Sequence, residues 1–266
     1  MNIIIAGPRG KMGSLITKIA SNRTDMKIVA GIGPEGRDYI GQDIGIVSGM
    51  GRALNAIVVD DIKTVINESD VIIDYTTTEF SMEILEAALR SKKAVVCGTT
   101  GFSEEEFNRI KDASKQIPIV YAANSSRVVN LMYKLLKIAA EAIGNVSDIE
   151  IIEMHDRYKK DAPSGTSKEM GQVIAEALNK ELKDIAVFGR EGKGERVPGS
   201  IGYHSIRSGD ISSSHTVMFG LMGERLEITH HAYNWECFAQ GACEAAAFLY
   251  GKEPGLYTIK DVLKIE

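Results

Sequence analysis

Short apolar segments alternate with amphipathic segments through the first half of the sequence, and this alternation limits the possible folds more than any other feature. The apolar segments are Asn2–Ala6, Lys27–Ile32, Ala56–Val59, Val71–Tyr75, Ala94–Cys97 and Pro118–Ala122. The amphipathic segments between them are Met12–Ser21, Ile62–Glu68, Ser81–Ser91 and Glu104–Lys115. Strands that are apolar on both faces are typical of parallel sheets covered by helices on both sides. The first half therefore predicts an α/β domain with a Rossmann-like, doubly wound parallel sheet.

The second half has a different order of elements. A long helical segment, Val128–Ile143, is followed by a strand at Asp148–His155, a polar loop and a helix at Ser164–Leu178. Further strand candidates are Ser200–Arg207, Ile211–Phe219 and Arg225–His231, and an alanine-rich helix follows at Asn234–Tyr250. This order predicts an α+β domain with a mixed or antiparallel sheet.

A glycine-rich turn joins the first predicted strand to the first predicted helix. Gly7 permits the tight turn, Gly10 lets the backbone approach a pyrophosphate, and Gly13 permits close packing of helix on strand. The helix start would offer free N–H groups and a positive dipole end to phosphates. The residues predicted to contact the cofactor in this turn are Gly7, Arg9, Gly10, Lys11, Met12 and Gly13. A tight turn without a ligand is the alternative interpretation.

The second predicted strand lacks the acidic residue that commonly binds the adenosine ribose, because Gly33 stands at that position. Glu35 is a candidate for a ribose hydroxyl, and Arg9 or Arg37 is a candidate for a 2′-phosphate. The choice between NADH and NADPH therefore stays open.

Small polar residues follow two other predicted strands. Ligands of open parallel sheets bind at the carboxyl ends of the strands, where small polar residues can contact a ribose or an amide. The residues predicted to contact the cofactor there are Tyr75, Thr76, Gly98, Thr99 and Thr100. Ordinary turn chemistry explains the glycine and threonine residues equally well.

Composition excludes several classes of protein. The net charge of −5 gives no basic surplus, so nucleic acid is not expected as a partner. The N-terminus has no basic segment before its short apolar run, and no apolar stretch approaches the roughly 20 residues that span a bilayer. The three cysteines have unrelated spacings, which predicts neither disulfides nor zinc. We expect a cytoplasmic protein without membrane contact.

The most informative segment runs from Glu150 to Thr166. It leaves a strand, concentrates His155, Lys159 and other charged residues in a loop, and reaches a helix start at Ser164. Such a helix start binds carboxylates, and a histidine beside lysines can deliver a proton while the cations hold an anionic substrate. His204, His215 and His230 fall on strand candidates and are interpreted as sheet residues, so no metal site is predicted.

The stretch Glu153–Thr166 resembles the E-x-H-H-R-x-K-x-D-A-P-S-G-T signature of the 4-hydroxy-tetrahydrodipicolinate reductases, also called dihydrodipicolinate reductases. Gly7–Gly13 is similar to the G-x-x-G-R-M-G turn of that family, and Gly98–Gly101 to its G-T-T-G turn. Ala123, Asn124 and Ser125 stand where the family has A-x-N-F-S. Further matches lie at Ser205–Asp210, His215–Phe219, Phe238–Ala242 and Pro254–Tyr257, so the resemblance covers almost the whole chain.

The resemblance implies reduction of a cyclic imine or enamine dicarboxylate by NADH or NADPH. His155 would be the general acid, Lys159 a proton donor or substrate-orienting cation, and Gly165 and Thr166 the holders of a substrate carboxylate. Ala123, Asn124 and Ser125 would contact the cofactor. Residues 1–126 and 235–266 would form the dinucleotide-binding domain, and residues 127–234 the substrate-binding and oligomerisation domain. A homotetramer is also implied.

The sequence departs from the family pattern at five places. The family's second histidine is Asp156, which places a carboxylate at a predicted substrate-binding position. The other departures are Gly33 for an acid, Ser125 for phenylalanine, Val128 for glycine, and His230–Trp235, which lacks two arginines. These changes leave two alternatives open. One is a divergent reductase of another small imine or keto acid, and the other is a nucleotide-binding regulatory protein with weak catalysis.

Overall fold

A computed structural model describes residues 1–265, which fall into two compact units. One unit contains residues 1–127 and the C-terminal segment from Trp235, and the other contains residues 128–234. The strands are β1 (Asn2–Ala6), β2 (Lys27–Ile32), β3 (Ile57–Val59), β4 (Val71–Asp74), β5 (Ala94–Cys97), β6 (Pro118–Tyr121), β7 (Asp148–His155), β8 (Ala186–Phe188), β9 (Ile201–Arg207), β10 (Ser213–Leu221), β11 (Glu224–Ala232) and β12 (Gly255–Tyr257). The α-helices are α1 (Lys11–Ala20), α2 (Ile44–Val47), α3 (Thr78–Ser91), α4 (Glu104–Ser114), α5 (Arg127–Ile143), α6 (Gly165–Ala177), α7 (Leu182–Ile185), α8 (Glu236–Leu249) and α9 (Ile259–Leu263).

The first unit is built on a seven-stranded sheet in the order β12-β6-β5-β4-β1-β2-β3. All of its strand pairs are parallel. Successive residues of β1 point to opposite faces, so Ile3 and Ile5 enter one apolar cluster and Ile4 enters the other. Each of these isoleucines is fully buried, which stabilises the fold by roughly 1.5–3 kcal/mol per side chain. The predicted doubly wound parallel sheet is confirmed.

Short polar sequences begin the helices that follow this sheet. Thr77 caps α3 by accepting the N–H of Phe80. Ser103 caps α4, and the Glu106 side chain accepts the N–H of Ser103 in return, which completes a capping box. These caps satisfy N–H groups that have no partner within the helix.

Several short elements differ from those predicted from the sequence. The predicted helix at Ile62–Glu68 is wrong, because the chain forms two 3₁₀ turns there, Ile62–Thr64 and Ile66–Glu68. β12 was not predicted, although it extends the parallel sheet by pairing with β6. Three residues are too few to show the periodicity of a strand.

The second unit contains a mixed five-stranded sheet in the order β11-β10-β7-β9-β8. β7 lies between β9, which is parallel to it, and β10, which is antiparallel. β9 and β10, although consecutive in the chain, are therefore separated by β7. Apolar residues of α5 and α6 pack on one face of this sheet against Ile151, Val217 and Phe219. No helix within residues 1–265 is long and apolar enough to cross a membrane.

Candidate active site

The glycine turn has the geometry that the phosphates of a dinucleotide require. Gly7 has a φ of 66°, which favours glycine, and its carbonyl accepts the Gly10 N–H at 2.9 Å. A Cβ on Gly13 would collide with the carbonyl group of Gly7 and approach Pro8 Cα to 3.0 Å. Gly10 is the N-cap of α1 and offers no side chain to its first turn. The residues present therefore fit a pyrophosphate at this helix start.

A buried carboxylate organises the ends of β4 and β5. Asp74, which is 1% exposed, accepts hydrogen bonds from Ser81 Oγ and, at 2.6 Å, from Thr76 Oγ1. Thr99 Oγ1 lies 3.5 Å from the same carboxylate and accepts the Thr76 N–H at 2.9 Å. Burial raises the pKa of Asp74 above its usual range, against the hydrogen bonds, which lower it. The structure thus joins Thr76 and Thr99, two predicted cofactor contacts, through an aspartate that the sequence did not identify as a site residue.

At the end of β2, Gly33 leaves room for an aromatic ring instead of an acid. A Cβ on Gly33 would lie 2.6 Å from the ring of Tyr39. Arg9 lies over the same ring, 5.5 Å from its centroid, and pairs with Asp38 at 2.9 Å. Glu35 is exposed. An open hollow of about 420 Å³ is lined by Arg9, Gly10, Pro34, Arg37, Asp38 and Tyr39.

Two other predicted cofactor contacts are engaged by the start of α8. The ammonium of Lys11 lies 3.7 Å from the centroid of the Trp235 ring, a cation–π contact. The buried Ser125 donates from Oγ to the carbonyl of Phe238 at 2.8 Å. Asn124 Oδ1 accepts the N–H of Ser126 at 2.9 Å, and Ala123 is exposed. The chain departs from the family pattern at Ser125 and Trp235. Trp235 is the N-cap of α8, and Ser125 contacts the first turn of that helix.

In the second unit, His155 ends β7 and is bound by a fully buried carboxylate. Its Nδ1 lies 2.5 Å from Oε2 of Glu153, which is 0% exposed. Arg207 of β9 donates to both carboxylate oxygens, at 2.9 and 2.8 Å. Burial raises the pKa of Glu153, but the hydrogen bonds from His155 and Arg207 outweigh it and hold that pKa well below the usual range. No described residue hydrogen-bonds Nε2 of His155, so that nitrogen remains for a ligand.

The same carboxylate reaches the start of α6. Glu153 Oε1 accepts the N–H of Ser164 at 3.2 Å, and Ser164 caps the helix by accepting the N–H of Ser167 at 3.2 Å. Gly165 and Thr166 form the first turn, where backbone N–H groups and the helix dipole favour an anion. Gly165 is exposed, so a carboxylate has access to this turn.

Two further histidines lie beside His155, which the sequence did not show. The ring of His215 lies 5.2 Å from that of His155, and the ring of His230 lies 6.1 Å beyond it. Ser164 Oγ is 3.3 Å from Nε2 of His215. Burial, with the positive charges of neighbouring histidines, lowers the pKa of His215 to about 3, so this ring is neutral at physiological pH.

The other two predicted site residues, Lys159 and Asp156, lie in the loop between β7 and α6. Lys159 pairs with Asp161 at 2.9 Å. Asp156 accepts the N–H of Tyr158 at 2.8 Å, which uses its carboxylate in a local turn. Glu153 and Arg207 were absent from the predicted site, although both lie within the matched family motifs, and this was the available signal.

A parallel sheet that presents a glycine turn at a helix start, together with a carboxylate-supported histidine beside an anion-binding helix start, defines a dinucleotide-dependent oxidoreductase. Family models confirm and narrow this class. "Dihydrodipicolinate reductase, N-terminus" matches residues 1–125, and "Dihydrodipicolinate reductase, C-terminus" matches residues 128–263. The chain belongs to the dihydrodipicolinate reductase family, and a nicotinamide cofactor follows from this membership.

Individual relatives agree with the family. The chain is 43% identical over 265 residues to 4-hydroxy-tetrahydrodipicolinate reductase of Hahella chejuensis (strain KCTC 2396), with 99% of each sequence covered. A dipicolinate-bound dihydrodipicolinate reductase from Paenisporosarcina sp. TG-14 superposes with a TM-score of 0.78 at 25% identity, over 97% of both chains. An amine dehydrogenase from Mycobacterium smegmatis has a TM-score of 0.65 at 12% identity, covering 97% of this chain and 94% of that one, which shows a shared fold only.

Proposed function

We propose that this chain reduces 4-hydroxy-tetrahydrodipicolinate to tetrahydrodipicolinate with NADH or NADPH, a step of diaminopimelate and lysine biosynthesis. The observation that carries the proposal is the buried carboxylate of Glu153, which joins His155 to the start of α6. Reduction of a dicarboxylate that also takes up a proton needs a proton donor, His155, close to a group that binds a carboxylate, the start of α6. The 43% identity to a reductase of this name, over 99% of its length, supports the same reaction.

In this proposal each group in the second unit has a defined part. Backbone N–H groups of Gly165 and Thr166 bind one substrate carboxylate, and Lys159 orients the substrate or serves as a proton donor. His155 donates a proton from Nε2, since Nδ1 is bound to Glu153. Asp156, which replaces the second histidine of the family motif, also faces the substrate in this proposal.

The cofactor would be held by the first unit, where it supplies the hydride. The residues proposed to hold it are Gly7, Arg9, Gly10, Lys11, Met12, Gly13, Glu35, Tyr75, Thr76, Gly98, Thr99, Thr100, Ala123, Asn124 and Ser125. Arg9 and Arg37 line the hollow beside Tyr39 and favour a 2′-phosphate, whereas Glu35 and Asp38 favour a ribose hydroxyl. NADH and NADPH therefore both remain candidates.

A coupled assay tests the proposal. A synthase generates 4-hydroxy-tetrahydrodipicolinate in the cuvette, and oxidation of NADH or NADPH is followed by absorbance. We expect rapid oxidation that depends on the synthase. Cofactor binding is measured separately by fluorescence of Trp235, the single tryptophan, whose ring contacts Lys11. Cofactor binding without synthase-dependent oxidation would exclude the proposed substrate.

Asp156 favours a second candidate, reduction of a different small imine or keto acid. A carboxylate near a dianionic substrate repels it, and two unit charges 4 Å apart interact by about 4 kcal/mol at an effective dielectric constant of 20. On this alternative, a panel of cyclic imine acids and keto acids contains a better substrate than the dicarboxylate. Cofactor binding without turnover of any panel member would instead indicate a regulatory nucleotide-binding protein.

The oligomeric state and the cytoplasmic location remain predictions from the sequence. We propose a homotetramer on the basis of the family resemblance.

A further inference from the structure

The buried carboxylate of Glu153 makes four hydrogen-bond contacts with three residues. Both of its oxygens are occupied twice: Oε2 by His155 and Arg207, and Oε1 by Ser164 and Arg207. Burying a carboxylate is costly unless it is paired and hydrogen-bonded. Arg207 supplies the pairing charge and is itself anchored, since it also donates to the carbonyl of Asp161 at 2.6 Å.

We propose that Glu153 is a positioning residue of the reductase site, which fixes the ring of His155 and holds it in register with the substrate-binding start of α6. The proposal rests on the proposed function. An ionised carboxylate only accepts hydrogen bonds, so Nδ1 of His155 carries the proton and Nε2 is the nitrogen directed to a ligand. The negative charge also stabilises the protonated ring before it donates.

Other groups near His155 do not replace this charge. His215 of β10 faces the ring edge-on and is neutral, and His230 of β11 lies behind it. Arg207 of β9 is positive, and Lys159 of the following loop is paired with Asp161. Among the described residues, Glu153 is therefore the carboxylate in direct contact with the ring.

The proton balance of the step is simple. In each turnover the substrate would take one hydride from the cofactor and one proton from Nε2 of His155, and its 4-hydroxyl group would leave as water. The ring of His155 is then neutral, and its Nδ1–H is still bound to Glu153. Water then returns one proton to Nε2. Glu153 itself stays ionised throughout, so it contributes orientation and charge without exchanging a proton.

The same strand provides a matched control. Glu150, three residues earlier on β7, also contacts a histidine and an arginine: its Oε2 lies 2.8 Å from Nε2 of His204, and its Oε1 lies 2.9 Å from Nε of Arg196. Glu150→Gln therefore removes a carboxylate from an equivalent Glu–His–Arg cluster that has no proposed part in the reaction.

The experiment compares Glu153→Gln with Glu150→Gln in the full chain. For Glu153→Gln we expect kcat to fall about 100-fold, since a general acid contributes ~10²–10⁴, with the Kd values of cofactor and dipicolinate within about threefold. The fall of kcat at alkaline pH should move to lower pH by about one unit or more, because the charge that favoured the protonated ring is gone. Glu150→Gln should keep the wild-type kcat and profile. Equal losses in both variants, or a wild-type profile for Glu153→Gln, would overturn the proposal.

An NMR measurement and a second variant test the role of Glu153 independently of the Glu153→Gln kinetics. ¹⁵N NMR of the histidine rings reports which nitrogen of His155 carries the proton, without any turnover: we expect Nδ1 in the wild type, and protonation at Nε2 alone at alkaline pH would overturn the proposal. This measurement decides the role of Glu153 even if the coupled assay rejects the substrate. If Glu153→Gln does not fold, Glu153→Asp keeps the charge but withdraws it by one methylene, and wild-type kcat in that variant would equally contradict the positioning role.

Discussion

At the residue scale, His155 is the side chain whose loss should reduce turnover most. His155→Ala removes the proposed proton donor while leaving the first unit unchanged, so kcat should fall by roughly 10²–10⁴ with unaltered cofactor affinity. The coupled assay and Trp235 fluorescence measure the two quantities. His204→Ala is the control, because His204 is also paired with a glutamate but lies outside the site. Unchanged turnover of His155→Ala would reject His155 as the acid.

At Asp156, the effect of the negative charge can be tested separately from the hydrogen bond that the side chain makes in the local turn. Asp156→Asn keeps an oxygen that can accept the N–H of Tyr158 but removes the negative charge. If the carboxylate lies near a bound dicarboxylate, dipicolinate should bind the variant about tenfold more tightly, and the gain should shrink in high salt. Asp156→His should bind dipicolinate more tightly as well. Equal affinity of the wild type and both variants would show that Asp156 is directed away from the substrate.

The neutral, buried His215 makes stability depend on pH in a defined range. Its pKa is about 3 in the folded state against 6.5 ordinarily, so below pH 6.5 the unfolded chain binds a proton that the folded chain does not. The free energy of unfolding should therefore fall as the pH drops, by about 2 kcal/mol from this group at pH 5. His230, whose pKa is also lowered, adds in the same direction.

Urea denaturation at pH 7, 6 and 5 tests this dependence. His215→Gln has no ring to protonate, so its stability should vary less between pH 7 and pH 5 than that of the wild type. Glu153 contributes only at lower pH, because its ordinary pKa is 4.5 and its folded pKa is lower still. Identical slopes for wild type and His215→Gln would show that His215 is not the source.

The residues of the loop were predictable, whereas the groups that support them were not. His155, Lys159, Gly165 and Thr166 lie within one continuous motif. Arg207 is more than fifty residues away in sequence, and only the register of the sheet, in which His155 lies opposite it, brings them together. His215 similarly comes beside Glu153 through the antiparallel register of β10 with β7. A single sequence reveals charges on strands but not their register.

At the element scale, the unit formed by β1, the glycine turn and α1 gives the clearest test of cofactor binding. In Gly13→Ala the new methyl group collides with the carbonyl group of Gly7, which forces helix and strand apart. We expect cofactor affinity to fall at least tenfold, measured by quenching of Trp235. Gly194→Ala is the control, because its Cβ would meet no atom within 4 Å. Circular dichroism verifies folding, and wild-type affinity in Gly13→Ala would contradict the proposed phosphate site.

Long elements were predictable because their periodicity is strong, and short ones were not. α5 was predicted within one residue of its start, and β7 was predicted with its observed bounds. β8 and β12 are three residues long, and their positions are decided by pairing with β9 and β6 rather than by their own sequence. The sequence also did not show that β7 would separate β9 from β10.

At the scale of the whole molecule, one face of the second unit's sheet is suited to self-association. Along β7, Ile149 and Ile151 are buried in the apolar cluster with α5 and α6, whereas Glu150, Ile152 and Met154 are half-buried on the opposite face. The opposite face carries Ile152, Met154 and Met218, with Ile206 exposed. Val217 and Phe219 of β10 are fully buried in the core and are not part of this face.

If four copies associate through this face, a charge on it should reduce the particle mass. We expect light scattering after size-exclusion chromatography to give four times the chain mass of 29.0 kDa for the wild type, and a smaller species for Met218→Glu. Ile138→Glu is the control, because Ile138 is an apolar residue of α5 with 49% exposure and lies on a different surface. A tetramer in Met218→Glu together with dissociation of Ile138→Glu would place the interface on α5, since an introduced carboxylate disrupts whichever apolar surface it must be buried in.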